Sequence, residues 1–314
     1  MVKNKKGFLE FSFTWLFAII VGAIILGGAI YAVTKLVKTS QVESDVTAGT
    51  EIEILLNPLE TSFEDVKTTT ITTPAETRIY NICEEPEPDV IFGKQKIRVT
   101  QMSFNKWTET QQEVGFENKY IFSENYSQGK NFYVFSKQFN FPYKTADLIY
   151  ITPSTKKYCF VDAPEEIEDE IKQMKQANLV IENCSGKKNF TQVCFETTKN
   201  CNIEVNYDEK SVSKNGYKIY FETDALMYAG IFSSKEIYEC QVSRLVSRTS
   251  ELANIYAQKQ NLISINGCES SILNDLVVFQ SLLNSFESSE NLASIKNVAD
   301  EIDIQNEMGV CRLW

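Results

Sequence analysis

Eight cysteines and no histidine bound the chemistry open to this chain of 314 residues. Without imidazole there is no Ser–His–Asp or Cys–His activation, no commonest zinc ligand and no ready proton shuttle near neutral pH. The cysteines are Cys83, Cys159, Cys184, Cys194, Cys201, Cys240, Cys268 and Cys311. None stands at Cys-x-x-Cys spacing, so the sequence predicts structural disulfides and no metal site. Spacing alone does not assign the pairing. The group Cys184, Cys194 and Cys201 is expected to include one local loop closure. Cys240 and Cys268 flank one expected helix, about 42 Å apart at ~1.5 Å per residue, which is too far to bridge. Cys311 is expected to hold down the tail that ends in Trp314.

Carboxylates are the other reactive group in quantity. Two acidic runs, 84–89 and 165–170, stand out. The first lacks the ligand spacing and the glycine of a calcium loop. The second is placed to begin a helix, where carboxylates favour the positive end of the dipole. Both read as solvated surface. No carboxylate spacing marks a glycosidase, and no Gly-rich loop cradles phosphate. The sequence therefore assigns no catalytic residue and no cofactor. Beyond residue 40 it holds 26 basic and 41 acidic side chains, a balance of −15 that repels phosphate backbones and argues against nucleic acid as a partner.

A membrane is expected to position these groups. From Phe11 to Thr34 no residue is charged. As a helix these residues span about 36 Å at ~1.5 Å per residue, enough to cross a hydrocarbon core of ~30 Å. The lipid bilayer is thus the first expected partner. Lys3, Lys5 and Lys6 precede the span, and Lys35 and Lys38 follow it, a weak bias towards a cytoplasmic N-terminus. All the cysteines and three Asn-x-Ser/Thr sequons, at Asn125, Asn183 and Asn189, lie beyond the span. Together they predict a single-pass cell-membrane protein with its bulk in an oxidising, extracytoplasmic space, glycosylated at those asparagines. Small residues four apart, Ala18 and Gly22, Ala23 and Gly27, Gly28 and Ala32, would let a second membrane helix approach closely.

Residues 8–38 are read as the anchor helix and 39–75 as a juxtamembrane stalk, with Ile52, Leu56 and neighbouring apolar residues docking on the domain or a partner. Residues 76–233 read as short aromatic and β-branched strands. One helix interrupts them, with Ile167, Ile171 and Met174 on one face. Asn215-Gly216 predicts a tight type I′ hairpin turn. Residues 234–314 read as helices, opened by a capping box from Ser233 to Glu236. Strands followed by helices predict an α+β fold: an anchor helix, a β-rich middle region with one helix, and C-terminal helices packed on the sheet.

The first residues, MVKNKKG followed by FLEFSFTWLFAIIVGAII, form a Lys-rich leader ending in Gly, then an apolar residue, an early Glu and a long hydrophobic helix. This resembles the class III signal peptide of type IV pilins and archaeal pilin-like proteins. The resemblance implies a leader of residues 1–7, cleaved between Gly7 and Phe8, and a helix that packs into a filament core. It makes Glu10 the buried acid that pairs with a neighbouring amino terminus, although Glu10 would stand third in the mature chain where pilins have Glu fifth. The whole chain also looks like membrane-anchored exoproteins of small-genome archaea, a likeness that supplies no activity.

The expected function is that of a membrane-anchored extracytoplasmic structural or interaction protein, not an enzyme, with protein partners or self-association through the membrane helix. The alternative is an anchored receptor or ligand-binding module for glycan or protein. A carboxylate-based hydrolase ranks third.

Overall fold

A computed structural model describes residues 13–56, 66–103, 105–108, 113–116, 118–181, 189–195, 201–265 and 272–314. The chain is α+β, with an N-terminal apolar helix, a β-rich middle of two sheets and C-terminal helices.

The first helix, α1, runs unbroken through Phe13–Leu56, 44 residues or about 66 Å at ~1.5 Å each. Its segment Phe13–Ser40 is long and apolar enough to cross a membrane, and none of it is buried in the protein. The expected stalk is therefore different in kind. Residues 39–56 continue the helix, because nothing before Asn57-Pro58 breaks it. The β-branched residues that follow join β1, Val66–Glu84.

The strands that follow are β2 (Lys94–Ser103), β3 (Lys106–Trp107), β4 (Val114–Phe116), β5 (Tyr120–Phe122), β6 (Tyr126–Asn140) and β7 (Lys144–Pro153). With β1 they make a large sheet in the order β3-β2-β1-β6-β7-β5, with β4 beside β2. All its pairings are antiparallel except β5 with β7. Its strands alternate cleanly. Val134, Ile149 and Ile151 face one core, and Phe135, Leu148 and Tyr150 face another. The first core is closed by Ile52 and Leu56 of α1.

The second core is larger and lies between the sheet and everything after it. A small sheet follows, made of β8 (Lys157–Val161), β9 (Leu179–Ile181), β10 (Phe190–Cys194), β11 (Ile203–Asn206), β12 (Ser211–Lys214) and β13 (Tyr217–Tyr220). Its order is β13-β12-β11-β10-β8-β9. The strands β9, β8, β10 and β11 run parallel, and β12 and β13 are antiparallel. Between β8 and β9 lies α2, Glu165–Met174, burying Ile167, Ile171 and Met174 as its spacing predicts. Asn215 and Gly216 hold φ of 52° and 81°, the left-handed pair that joins β12 to β13.

Four helices complete the second core: α3 (Asp224–Phe232), α4 (Lys235–Ile265), α5 (Leu273–Asn284) and α6 (Leu292–Met308). The cap of α4 differs from expectation. Ser234, not Ser233, accepts from the Ile237 N–H, while the Ser233 N–H closes the end of α3 on Ala229 O. The apolar residues of α4, Ile237, Leu245, Leu252, Ile255, Tyr256 and Leu262, share a helical spacing but are buried only in part, since Ile255 remains 56% exposed and Leu262 65%. The C-terminal tail is held. Leu313 is buried, its N–H donates to Asn306 Oδ1, and Trp314 Nε1 donates to Asp303.

Candidate functional site

Among the described residues, the parallel strands of the small sheet create a site-like place. From β8 the chain passes through α2 to β9 on one side, then returns as β10 on the other side of β8. Such a reversal leaves a crevice outside the carboxyl ends of the strands, where open α/β sheets bind ligands. A cleft of about 990 Å³ lies there, lined by Asp162 and Pro164 after β8, Phe195 after β10, and Asn206 and Tyr207 at the end of β11. Asp162 adopts φ 54°, so the chain turns sharply there before entering α2.

A second cleft of about 410 Å³ adjoins the first and shares Tyr207. Phe141, Phe221, Glu222, Asp224 and Lys296 line it. The Tyr207 hydroxyl donates to Asp224 Oδ1 at 2.7 Å, and the Lys210 ammonium sits 3.7 Å from the centre of the Tyr207 ring. Burial raises the phenol's pKa, and the Asp224 carboxylate raises it further. Burial also raises Glu222, against the pull of Lys210 and Lys296. The arrangement is an aromatic wall between two acid-rich clefts, with a protein cation already resting on the ring. It suits recognition of a polar or cationic group. Among the described residues no group of acids and cysteines could hold a metal ion.

Two buried cations invite a chemical reading. Burial lowers Lys214 to about 8. Its ammonium donates to Ile231 O and Ser233 O, and so caps the end of α3 instead of facing a cleft. Arg244, fully buried, is lowered to about 10 by burial. It donates to Phe92 O, Lys119 O and Gln241 Oε1, and lies over the Tyr120 ring. The adjoining Gln241 joins Gln95 and, through it, Asn81, so a polar seam ties α4 to β1 and β2. No sequence pattern marks these partners, because pairings distant in sequence bring them together.

The cysteines pair as structural bonds. Cys83 joins Cys240, tying β1 to α4, and Cys194 joins Cys201 across the expected short loop. Cys159 and Cys311 are disulfide-bonded too, and no described cysteine is free. Cys184, Cys268, Asn183, Gly7, Phe8 and Glu10 lie outside the described residues.

Asn125 and Asn189 are exposed, although Asn125 Oδ1 accepts from the Ser234 hydroxyl at 2.5 Å. Ala18, Gly22, Ala23, Gly27, Gly28 and Ala32 lie on the protruding part of α1, and a Cβ added at any of the three glycines would meet nothing.

The acidic runs separate. Glu85, Glu87 and Asp89 are exposed on the β1–β2 loop. Glu170 departs from the expected solvated surface: it pairs with Lys137 and accepts from the Tyr228 hydroxyl at 2.9 Å. The residues missed by sequence reasoning are Tyr207, Lys210 and Glu222. The turn-rich stretch between β11 and β12 holds Tyr207 and Lys210, whereas Glu222 follows β13 with no local pattern to mark it.

Comparison with family models, with curated proteins and with solved structures gives no match for this chain.

Proposed function

We propose that this chain is a membrane-anchored extracytoplasmic structural or interaction protein of pilin-like design. The observation that carries the reading is α1. Its apolar half projects bare from the protein, and the same helix continues without a break into the segment docked on the large sheet. An exposed face of this length is stable only in lipid or against other apolar helices. Helical continuity transmits position from the membrane to the domain, as an assembling subunit requires. The disulfides and the exposed sequons Asn125 and Asn189 support an outer, oxidising location. On this reading the N-terminus is cytoplasmic, and Gly27 and Gly28 offer a place for helix association.

Mass spectrometry of the unreduced, alkylated protein from native membranes tests this. A mature chain beginning at Phe8 is the expected result, with no alkylated thiol. Retention of Lys3–Gly7 would remove the pilin-like design and leave a plain anchored domain. Eight alkylated thiols would overturn the outer location.

A second reading, an anchored ligand-binding module, rests on the two clefts that meet at Tyr207. Its test is calorimetric titration with Lys-rich peptides and neutral oligosaccharides. Heat with one class, lost in Glu222→Gln, would favour this module over a purely structural role.

A further inference from the structure

The large sheet carries an unusual set of cations on one face. Along β1 and β2 the residues Ile79, Ile97 and Val99 point into the core under α1. Their neighbours Arg78, Tyr80 and Arg98 therefore point to the opposite face. The Arg78 guanidinium lies 3.9 Å from the Trp107 ring centre and 5.8 Å from that of Tyr126. Arg98 lies 4.6 Å from the Tyr80 ring centre, and Tyr80 and Tyr126 are 5.8 Å apart. Arg98, Tyr80, Tyr126, Arg78 and Trp107 thus form a continuous strip of planar groups. Tyr126 is 54% exposed and the others are half-buried.

Neither guanidinium has an acidic partner within ion-pair distance among the described residues. Every ion pair there is made by a lysine. Arg78 donates one bond, from Nε to Gln128 Oε1 at 2.8 Å. In a chain with 42 acidic and 31 basic side chains, two accessible arginines with no carboxylate partner among the described residues are unexpected. Each guanidinium rests against a ring, and a cation held in this way is preorganised for bidentate carboxylate binding.

The same molecule presents a matching anionic element. The β1–β2 loop closes in a turn, with the Glu87 N–H on Val90 O and the Val90 N–H on Glu87 O. Glu85, Glu87 and Asp89 are exposed on that tip, and no ion pair between described residues engages them. The tip cannot reach the strip of its own chain. Arg98 is opposite Tyr80 in the sheet, so Glu85 lies about 16 Å beyond Arg98 and about 23 Å beyond Arg78, at ~3.3 Å per residue.

We propose that the Arg78–Arg98 strip docks the acidic tip Glu85–Asp89 of a second copy of this chain. Strip and tip are different surfaces, so the contact is head-to-tail and leaves each copy with one free strip and one free tip. Such an interface propagates along a row or closes a ring instead of stopping at a pair. Arg, Tyr and Trp are the side chains that most often dominate an interface energetically. The anchor confines the copies to one membrane, which raises their effective concentration. This inference rests on the reading of the chain as a membrane-anchored assembling subunit.

The test uses the full chain reconstituted in lipid vesicles, with self-association read by fluorescence transfer between labelled copies. Two charge swaps are compared: Arg78→Glu with Arg98→Glu, and Glu85→Lys with Glu87→Lys and Asp89→Lys. Each alone is expected to weaken association at least ~tenfold. An equimolar mixture of the two is expected to restore it, because each swapped strip then meets a swapped tip. Unchanged near-ultraviolet circular dichroism confirms that the swapped chains fold. Wild-type association by the strip swap overturns the proposal, and so does a mixture that fails to recover. Sedimentation with the vesicles is measured in parallel. A chain that does not sediment refutes the anchored-subunit reading, whereas a membrane-bound chain whose association ignores both swaps refutes this interface alone.

Discussion

Two long helices grip the large sheet, and they do so by different means. The helix α4 is fastened by the Cys83–Cys240 bond, by the Gln95–Gln241 and Arg244 seam, and by the Tyr143 hydroxyl, which donates to Thr249 O. The helix α1 is held by Ile52 and Leu56 in an apolar pocket, with Gly49 letting the helix come close. A Cβ at Gly49 would sit 2.8 Å from Val114 Cγ2. Beside these contacts lies Asp45, 3% exposed, with neither carboxyl oxygen hydrogen-bonded. Among the described side chains the covalent grip belongs to α4, whereas the contact of α1 is apolar and includes a buried acid whose carboxyl oxygens accept no hydrogen bond. The α1 contact is therefore expected to open before the domain unfolds.

The largest expected effect breaks the stronger grip. Replacing Cys83 and Cys240 together by Ser opens a loop of 157 residues. The loss is about 5 kcal/mol, from the chain entropy that the bond removes in the unfolded state. It should appear as a fall in the denaturant midpoint of the whole domain, with all probes moving together. A change confined to one helix would mean that α4 is not the domain's main fastening.

The sequence makes one of these grips legible and hides the other. The apolar piece around Ile52 and Leu56 reads as a docking segment, although the polar composition of residues 39–50 conceals that the apolar N-terminal helix continues into it. The strands declare themselves by alternation, as in Asn131–Phe141 and the observed β6, and α2 by its spacing. The helix α3 does not. From Ala225 to Phe232 every residue is buried, so no polar face gives a helical period, and the Thr223 cap, which accepts from the Leu226 N–H, was the one local sign. The candidate clefts and the arginine strip were equally hidden, because Tyr80 meets Arg98 and Tyr207 meets Asp224 only through pairings that no local pattern encodes.

A smaller effect sharpens the contrast. Leu56→Ala leaves a cavity under α1, and the apolar contact loses about 3 kcal/mol. The loss is expected to appear as local opening. Amide exchange over residues 45–56 should quicken while the domain's denaturant midpoint stays within error. A parallel fall of the midpoint would show that α1 folds as part of the domain and would erase the distinction between the two grips.

The smallest effect comes from Asp45. Burial raises its pKa above the ordinary 3.8, and the nearby Thr108 hydroxyl and Gln101 backbone only partly oppose this. The Gln101 N–H already donates to the Thr108 hydroxyl at 3.0 Å, which explains why it leaves the carboxylate without a bond. A group bound more tightly to its proton in the docked state stabilises that state fully below its free value. That contribution is lost as pH rises through the raised one. Docking of α1 is therefore expected to be firmest in acid and to loosen towards neutral pH. Asp45→Asn keeps the shape and removes the charge, so exchange over residues 45–56, corrected for its intrinsic pH dependence, should become flat with pH and match the acid behaviour of the wild type. A variant that keeps the wild-type slope would mean that some other group sets the pH response, and that the stem is not released by ionisation of this acid.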